Sequence, residues 1–333
     1  MLGRRATSML RLCELAAGMA ARAGAERLAD ETIALLPKER VARACPATRR
    51  AWWVWFPRRC SKLRVRQGLL VVEGDGVAEV AFWTHDEDFR KACDRLRGGR
   101  VQQWSPDLPW GARGATTLPC HVPARSCCMD LFLRLGMTLA LARCPGLVLT
   151  GFGAAGAVAQ VFAVHYAGAM TAFDLRPNCC AREVFSFGAP RVSDRRMGAV
   201  LARLGVDHHR FVLQGDGRVA GPPGLAKLCH AHPCLLLVPP ACLPRLPHPW
   251  FWLTHKDPEH PEHATNQPPP PPRTANQWLV NAARFVQTQV LKLTKPPPPQ
   301  LYAGEAHKSL GEYLGCAHAC DVHTAFRPRS KSW

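Results

Sequence analysis

Residues 147–160, LVLTGFGAAGAVAQ, run from an apolar strand through a corner of small residues into an apolar helix. A corner of this shape can hold a nucleophile at the top of a strand, with its backbone packed tightly against the helix behind it. Gly151, Gly153, Ala154, Ala155, Gly156 and Ala157 supply the small residues such a turn needs. At the apex, where a serine would do acyl transfer, stands Gly153. Glycine has no side chain and cannot form an acyl-enzyme. The amide of Ala154 would still point at a developing oxyanion if the turn holds. Small residues at a strand–helix junction can also serve close packing alone.

Two further groupings could do chemistry. CHAHPC at 229–234 offers Cys229, His230, His232 and Cys234, and CAHACDVH at 316–323 offers Cys316, His318, Cys320 and His323. Thiolate and imidazole suit a tetrahedral zinc, with four ligands from either cluster or a pair from each. Neither cluster has the C-x2-C spacing of common zinc modules, and a chain with 15 cysteines and 14 histidines produces such groupings by chance. Cys127 and Cys128 could supply a thiol nucleophile, but they open a helix with no paired histidine in view. Ser186 lies inside a strand, and Ser126 opens a helix, where capping is the ordinary role.

The elements that would position these residues alternate. Residues 8–36 read as an amphipathic helix, and AWWVWF at 51–56 as a core cluster. GLLVVEGDGVAEVAFW at 68–83 reads as a hairpin around Gly-Asp-Gly. Helical spacing follows at 86–97 and 126–144, then a strand at 146–150 and the helix behind the corner. A strand at 183–188, a helix near 193–204 and a strand at 209–214 complete the series. Strands alternating with helices predict an α/β fold with a mostly parallel sheet covered on both faces. The expected organisation is an N-terminal helical segment at 1–50, an α/β core at 51–225, and a Pro-rich part at 226–333 that completes the fold. That last part holds the proline runs 268–272 and 296–299, a helix at 275–293 and a final element at 305–316.

Three stretches together carry a resemblance. They are Thr150-Gly151-Phe152-Gly153-Ala154-Ala155-Gly156-Ala157, Phe187-Gly188-Ala189-Pro190-Arg191-Val192, and Asp216-Gly217-Arg218-Val219. Their order and spacing resemble the fungal-type (class 3) lipase family, with its T-G-H-S-L-G-G-A elbow, F-G-x-P-R-V phrase and later aspartate. LPCHVP at 118–123 aligns His121 with the family's V-H-x-G-F phrase, and Phe82-Trp83-Thr84-His85 stands where that family has F-R-G-T. The resemblance spans roughly residues 65–225 and continues more loosely to 316. It implies an α/β-hydrolase fold and a role in lipid metabolism.

Carried over by position, it also implies Asp216 as the triad aspartate, with Ala154 and Thr84 (or His85) as oxyanion donors. His307 would be the triad histidine, from a family phrase H-x-x-x-x-Y that here has one extra residue before Tyr313; His255 is the alternative. The departures are Gly153 for the serine, Phe152 for the histidine before it, and Trp83 for the arginine. A pseudolipase that binds acyl lipid, or sits on a membrane surface, is therefore expected. The alternatives are an active ester hydrolase with a non-standard nucleophile, or a zinc-stabilised interaction protein.

Composition bounds the rest. The 333 residues are 47% hydrophobic, enough for a full core, and carry a formal net charge of +18. That charge favours anionic surfaces, while no basic helix with interleaved aromatics points to nucleic acid. No cofactor is implied. Irregularly spaced cysteines read as buried, reduced thiols. Glu14 interrupts the first apolar stretch, which argues against a secretory signal, and CLLLVPPACLPRLPHPWFWL at 234–253 has too many prolines to span a bilayer. The expectation is an intracellular, cytoplasmic protein.

Overall fold

A helix whose apolar residues recur every three or four positions, and strands whose apolar residues alternate, must share buried faces. The computed structural model shows how they do so. It describes residues 2–26, 32–58, 62–74, 76–96, 101–106, 117–142, 146–172, 180–213, 216–220, 228, 230, 234–237, 252–255 and 308–325. The elements are α1 (Leu2–Ala25), β1 (Thr32–Leu36), α2 (Lys38–Val41), β2 (Arg50–Phe56), β3 (Gln67–Glu73), β4 (Ala78–Thr84) and α3 (Asp86–Arg95). Next come β5 (Val101–Trp104), β6 (Leu118–His121), α4 (Val122–Ala142), β7 (Gly146–Phe152), α5 (Ala154–Ala172), β8 (Cys180–Phe187), α6 (Arg195–Arg203) and β9 (Asp207–Leu213). A short 3-10 turn (Gly217–Ala220), β10 (Cys234–Leu237), β11 (Trp252–His255) and α7 (Leu310–Ala325) complete them.

Nine strands form one sheet in the order β1-β2-β3-β4-β7-β8-β9-β10-β11, and β5 and β6 form a separate ribbon. The central strands β4, β7, β8, β9 and β10 run parallel, and antiparallel partners extend both margins. Helices cover both faces, as the alternation of strands and helices predicts. One face carries α3, α4, α5 and α6, whose Phe89, Cys127, Phe162 and Leu201 pack with Val80, Phe82, Leu149 and Val184 of the sheet. The other carries α1 and α7, with Met9, Leu10, Leu12 and Tyr313 against Trp53, Val148, Phe187 and Phe211.

The chain before residue 36 differs from the helix expected at 8–36. The helix ends at Ala25, and Thr32–Leu36 is the edge strand, paired antiparallel with β2. Ile33 and Leu35 are 57% and 67% exposed on it. Their apolarity mimics a helix face, but backbone pairing to β2 decides the conformation. Within α1, Ala6, Met9, Leu10, Cys13, Ala16, Ala20 and Ala23 are buried at helical spacing, while Arg4, Arg11 and Glu14 face solvent. Each large apolar side chain buried this way stabilises the docking by roughly 1.5–3 kcal/mol.

α5 has almost no polar face. Ala155, Ala157, Val158, Val161, Phe162, Val164 and Ala167 are all buried, because it lies between the sheet and its neighbouring helices. Cys13, Cys93, Cys120, Cys127, Cys128 and Cys316 are buried. No helix among the described residues is long and apolar enough to cross a membrane. The expected helix at 275–293 and both proline runs lie outside the described residues.

Candidate functional site

In open α/β sheets, sites form where parallel strands end. Here the carboxyl ends of β4, β7, β8 and β9 lie side by side, and each carries one of the residues singled out by sequence.

Gly153 follows β7 with φ +58°, a left-handed conformation that L side chains rarely adopt. Its amide donates to the Phe187 carbonyl at 2.8 Å, and its own carbonyl accepts from the Gly156 amide at 3.0 Å as α5 begins. Strand, corner and helix therefore have the elbow shape. The glycines around it are required by packing. A Cβ on Gly151 would lie 2.5 Å from the Ala155 backbone, and one on Gly156 would lie 2.8 Å from the Gly151 carbonyl oxygen. The turn is held closed by backbone against backbone. Phe152 packs edge-on against Tyr313, ring centroids 5.3 Å apart.

The Phe187–Val192 phrase is built into the same unit. Gly188 has φ +57°, and a Cβ there would meet Asp216 Oδ2 at 2.7 Å and the Tyr313 hydroxyl at 2.8 Å. Only glycine lets the end of β8 come this close to Asp216. Val192 accepts from the His121 amide at 2.8 Å, and the Ser193 hydroxyl donates to the Pro119 carbonyl at 2.6 Å. The LPCHVP stretch is thus joined to this phrase. His121 itself is fully buried, its Nε2 3.7 Å from Cys93 Sγ and its ring against Phe89.

Asp216 is fully buried just past β9. The Tyr313 hydroxyl donates to its Oδ2 at 2.7 Å and accepts from the Leu213 amide at 2.9 Å. The Lys308 amide reaches its Oδ1 at 3.4 Å. A capping box fixes this approach. Ser309 Oγ accepts from the Glu312 amide at 3.2 Å, and Glu312 accepts from the Ser309 amide at 2.7 Å, so α7 starts at Leu310 with Tyr313 facing Asp216.

His307 lies outside the described residues, but the residue after it is hydrogen-bonded to Asp216. His255 ends β11 opposite Cys234, and Cys234 begins a β10 whose next residue, Leu235, pairs with Phe211. The backbone therefore puts His255 two strands out from β9 and below its carboxyl end, away from Asp216.

Thr84 closes β4. The β4–β7 register pairs Phe82 with Gly151, so continuing it by two residues sets Thr84 beside Gly153. Its side chain is buried, and among the described residues Oγ1 has no hydrogen-bond partner. His85 is engaged elsewhere. Its ring accepts from the Asp88 amide at the start of α3 and meets Arg66, and its own amide donates to the Arg66 carbonyl. Burial first, and then the Arg66 charge, hold the His85 imidazole below its ordinary pKa. Ala154 is the first residue of α5, where early amides have no intrahelical acceptor.

Other candidate groups do not converge on the elbow. Burial pushes the Cys127 and Cys128 thiols well above the ordinary cysteine value, which removes them as thiolate nucleophiles. Among the described residues no three His, Cys, Asp or Glu side chains come together as a metal site. Cys316 is buried against the sheet on α7, which also carries His318, Cys320 and His323. Cys229 and His232 lie outside the described residues. His230 is buried and bonds the Val219 carbonyl at 3.1 Å.

Two features escaped sequence reasoning. Ser186 Oγ lies 2.9 Å from His208 Nε2, a serine–histidine contact across β8 and β9. Ser186 is fully buried inside the sheet, so substrate has no path to it. Gln67, fully buried opposite Thr84, also escaped notice.

No family model matches this sequence, and no curated protein matches it. Solved structures do. Lipase II from Rhizopus niveus is 18% identical over 70% of this chain and 81% of its own, TM-score 0.47. The lipase from Rhizopus microsporus var. chinensis is 16% identical over 69% and 74%, TM-score 0.44. The Rhizomucor miehei lipase propeptide complex is 16% identical over 51% and 52%, TM-score 0.37. The chain thus spans about half the length of the Rhizomucor protein.

Proposed function

We propose that this chain is a lipase-like α/β-hydrolase-fold protein whose elbow binds an acyl group without cleaving it. One observation carries the reading. The apex of the elbow, at φ +58°, is a glycine, while a buried and hydrogen-bonded aspartate stands at the end of the next strand but one. In acyl transfer by a serine triad, the hydroxyl attacks the ester carbonyl, a histidine takes its proton, and a carboxylate orients the imidazole. Asp216 suits the orienting role and His307 the base. Ala154 and Thr84 suit the oxyanion site. Gly153 supplies no atom to attack with, so the ester bond is not broken by this route.

The ligand in this reading is an acyl lipid or ester. The net charge of +18 suits delivery from an anionic lipid surface, where each nearby basic residue contributes about 1 kcal/mol. A role in lipid handling rather than lipid hydrolysis follows.

The test is hydrolysis of a short-chain nitrophenyl ester by the natural chain and by Gly153→Ser. The natural chain is expected to be inactive and the variant to gain turnover. Activity in the natural chain that the serine does not raise would overturn the reading and require another nucleophile.

A further inference from the structure

Among the described residues, two large hydrophobic side chains stand exposed, Ile33 and Leu35. Both belong to β1, the margin of the nine-stranded sheet, and no strand of the described residues pairs with its outer edge. The β1–β2 register sets Ile33 beside Val54 and Leu35 beside Trp52. They therefore share one face of the sheet, the face whose core holds Val54, with Trp52 packed against it. The opposite face of the strand is anchored, because Leu36 is buried in the core beneath α1. Sheet edges are ordinarily blunted by a charge, a proline or a bulge. TIALL has no charge and no proline, and its ladder with β2 is continuous.

Such an edge can take an extended chain, and what flanks it selects which one. In an antiparallel pair of two β1 strands with Ala34 on the two-fold axis, Ile33 faces Leu35 of the second copy and Leu35 faces its Ile33. All four apolar side chains then form one cluster on one sheet face. An axis at Ile33 would set Leu35 against Glu31, and an axis at Leu35 would set Ile33 against Pro37. The charges favour the same arrangement. Asp30 and Glu31 precede the strand, and chain connectivity holds them within about 7 Å of Thr32. Lys38, Glu39 and Arg40 follow it, all exposed, with a net positive charge. Antiparallel pairing lays the acidic end of each strand along the basic end of the other. Parallel pairing would bring like charges together.

We propose that β1 is a self-pairing edge through which two copies of this chain join their sheets in an antiparallel, two-fold dimer. The contact is isologous, so it consumes the β1 edge of both copies and closes at two. The strand is five residues long, so the contact is small and the association weak, micromolar rather than nanomolar. Each copy carries a formal charge of +18, and the copies repel at long range. Physiological salt screens that repulsion beyond about 8 Å and leaves the charge pairs at the strand ends.

The test is sedimentation equilibrium of the full chain at physiological salt, for the natural protein and Leu35→Lys, with oxidative crosslinking of Ala34→Cys and Thr32→Cys. The natural chain should show a monomer–dimer equilibrium. Leu35→Lys removes two apolar pairs per dimer, since symmetry counts each change twice, and should raise the dissociation constant about tenfold. Leu35 is exposed in the single chain, so the melting midpoint at high dilution should not move. Ala34→Cys places two thiols on directly opposed residues, about 4.5–5.5 Å between Cα atoms and within disulfide reach, and should crosslink. Thr32→Cys leaves its two thiols four residues apart along the pair, about 14 Å, and should not exceed the background of the natural chain. A natural chain that stays monomeric at about 100 μM, a dimer that Leu35→Lys leaves intact, or equal crosslinking at the two positions overturns the proposal. A monomeric natural chain retained on anionic vesicles, and released by Leu35→Ser, would assign the patch to a lipid surface instead and also overturn it.

Discussion

Gly151→Ala isolates the contact that makes the elbow. Gly151 has no positive φ, so alanine meets no backbone strain and the effect is purely steric. The added Cβ would sit 2.5 Å from the Ala155 carbon and oxygen and 2.7 Å from the Gly156 nitrogen. Ordinary contact begins at 3.4 Å, so α5 must retreat from β7 by the difference, about 0.9 Å. Backbone cannot rotate aside as a side chain can. A gap of that size forfeits a quarter to a half of the dispersion energy along the helix–sheet contact. The cost belongs at the upper end of overpacking, about 3 kcal/mol. For a chain of 333 residues that lowers the melting temperature by about 4 °C. Gly18→Ala is the control. It lies exposed on α1 with nothing within 4 Å of its Cβ. Gain of helix propensity should stabilise it by up to about 1 kcal/mol. Urea denaturation followed by circular dichroism reads both. A Gly151→Ala protein within about 0.5 kcal/mol of the natural chain would refute the close approach of α5 to the strand.

Two further outcomes follow from the buried groups. Tyr313→Phe removes the donor to Asp216 and the acceptor for the Leu213 amide, and should destabilise by about 1.5–3 kcal/mol in the same denaturation assay; an unchanged midpoint would contradict that geometry. Burial first, then Arg210 and Arg191, push the His230 imidazole well below its ordinary value. The unfolded chain therefore binds the proton first, and the stability contributed by neutral His230 is lost as pH falls from about 7 towards 5. His230→Gln should flatten that acid slope in melting temperatures measured across the range.

The parts of the site most legible in sequence are those where backbone crowding limits the residue type. Gly151 and Gly156 had to be small because helix and strand touch there, and Gly188 because Asp216 lies 2.7 Å from where its Cβ would be. The hairpin of β3 and β4 was marked by Gly74-Asp75-Gly76 between two apolar runs. What could not be read depends on register. Nothing in QGLLVVE says that Gln67 will face Thr84; only the strand pairing does. Ser186 and His208 are likewise 22 residues apart and meet only because β8 and β9 run side by side. Tyr313 was visible as the end of a phrase beginning at His307, but its bond to Asp216 needs the turn that Ser309 and Glu312 cap. The strand at Thr32–Leu36 was hidden because a short apolar run suits helix and strand equally.

The central claim is that the elbow is formed and lacks only its nucleophile. Labelling with a fluorophosphonate, which phosphonylates an activated serine with loss of fluoride, tests it most directly. The natural chain, Gly153→Ser and Gly153→Ser with Asp216→Asn would be treated alike and read by peptide mass spectrometry. The account predicts no adduct on the natural chain, an adduct at position 153 in the single variant, and much slower labelling once Asp216 is also replaced. An adduct on any serine of the natural chain would contradict it.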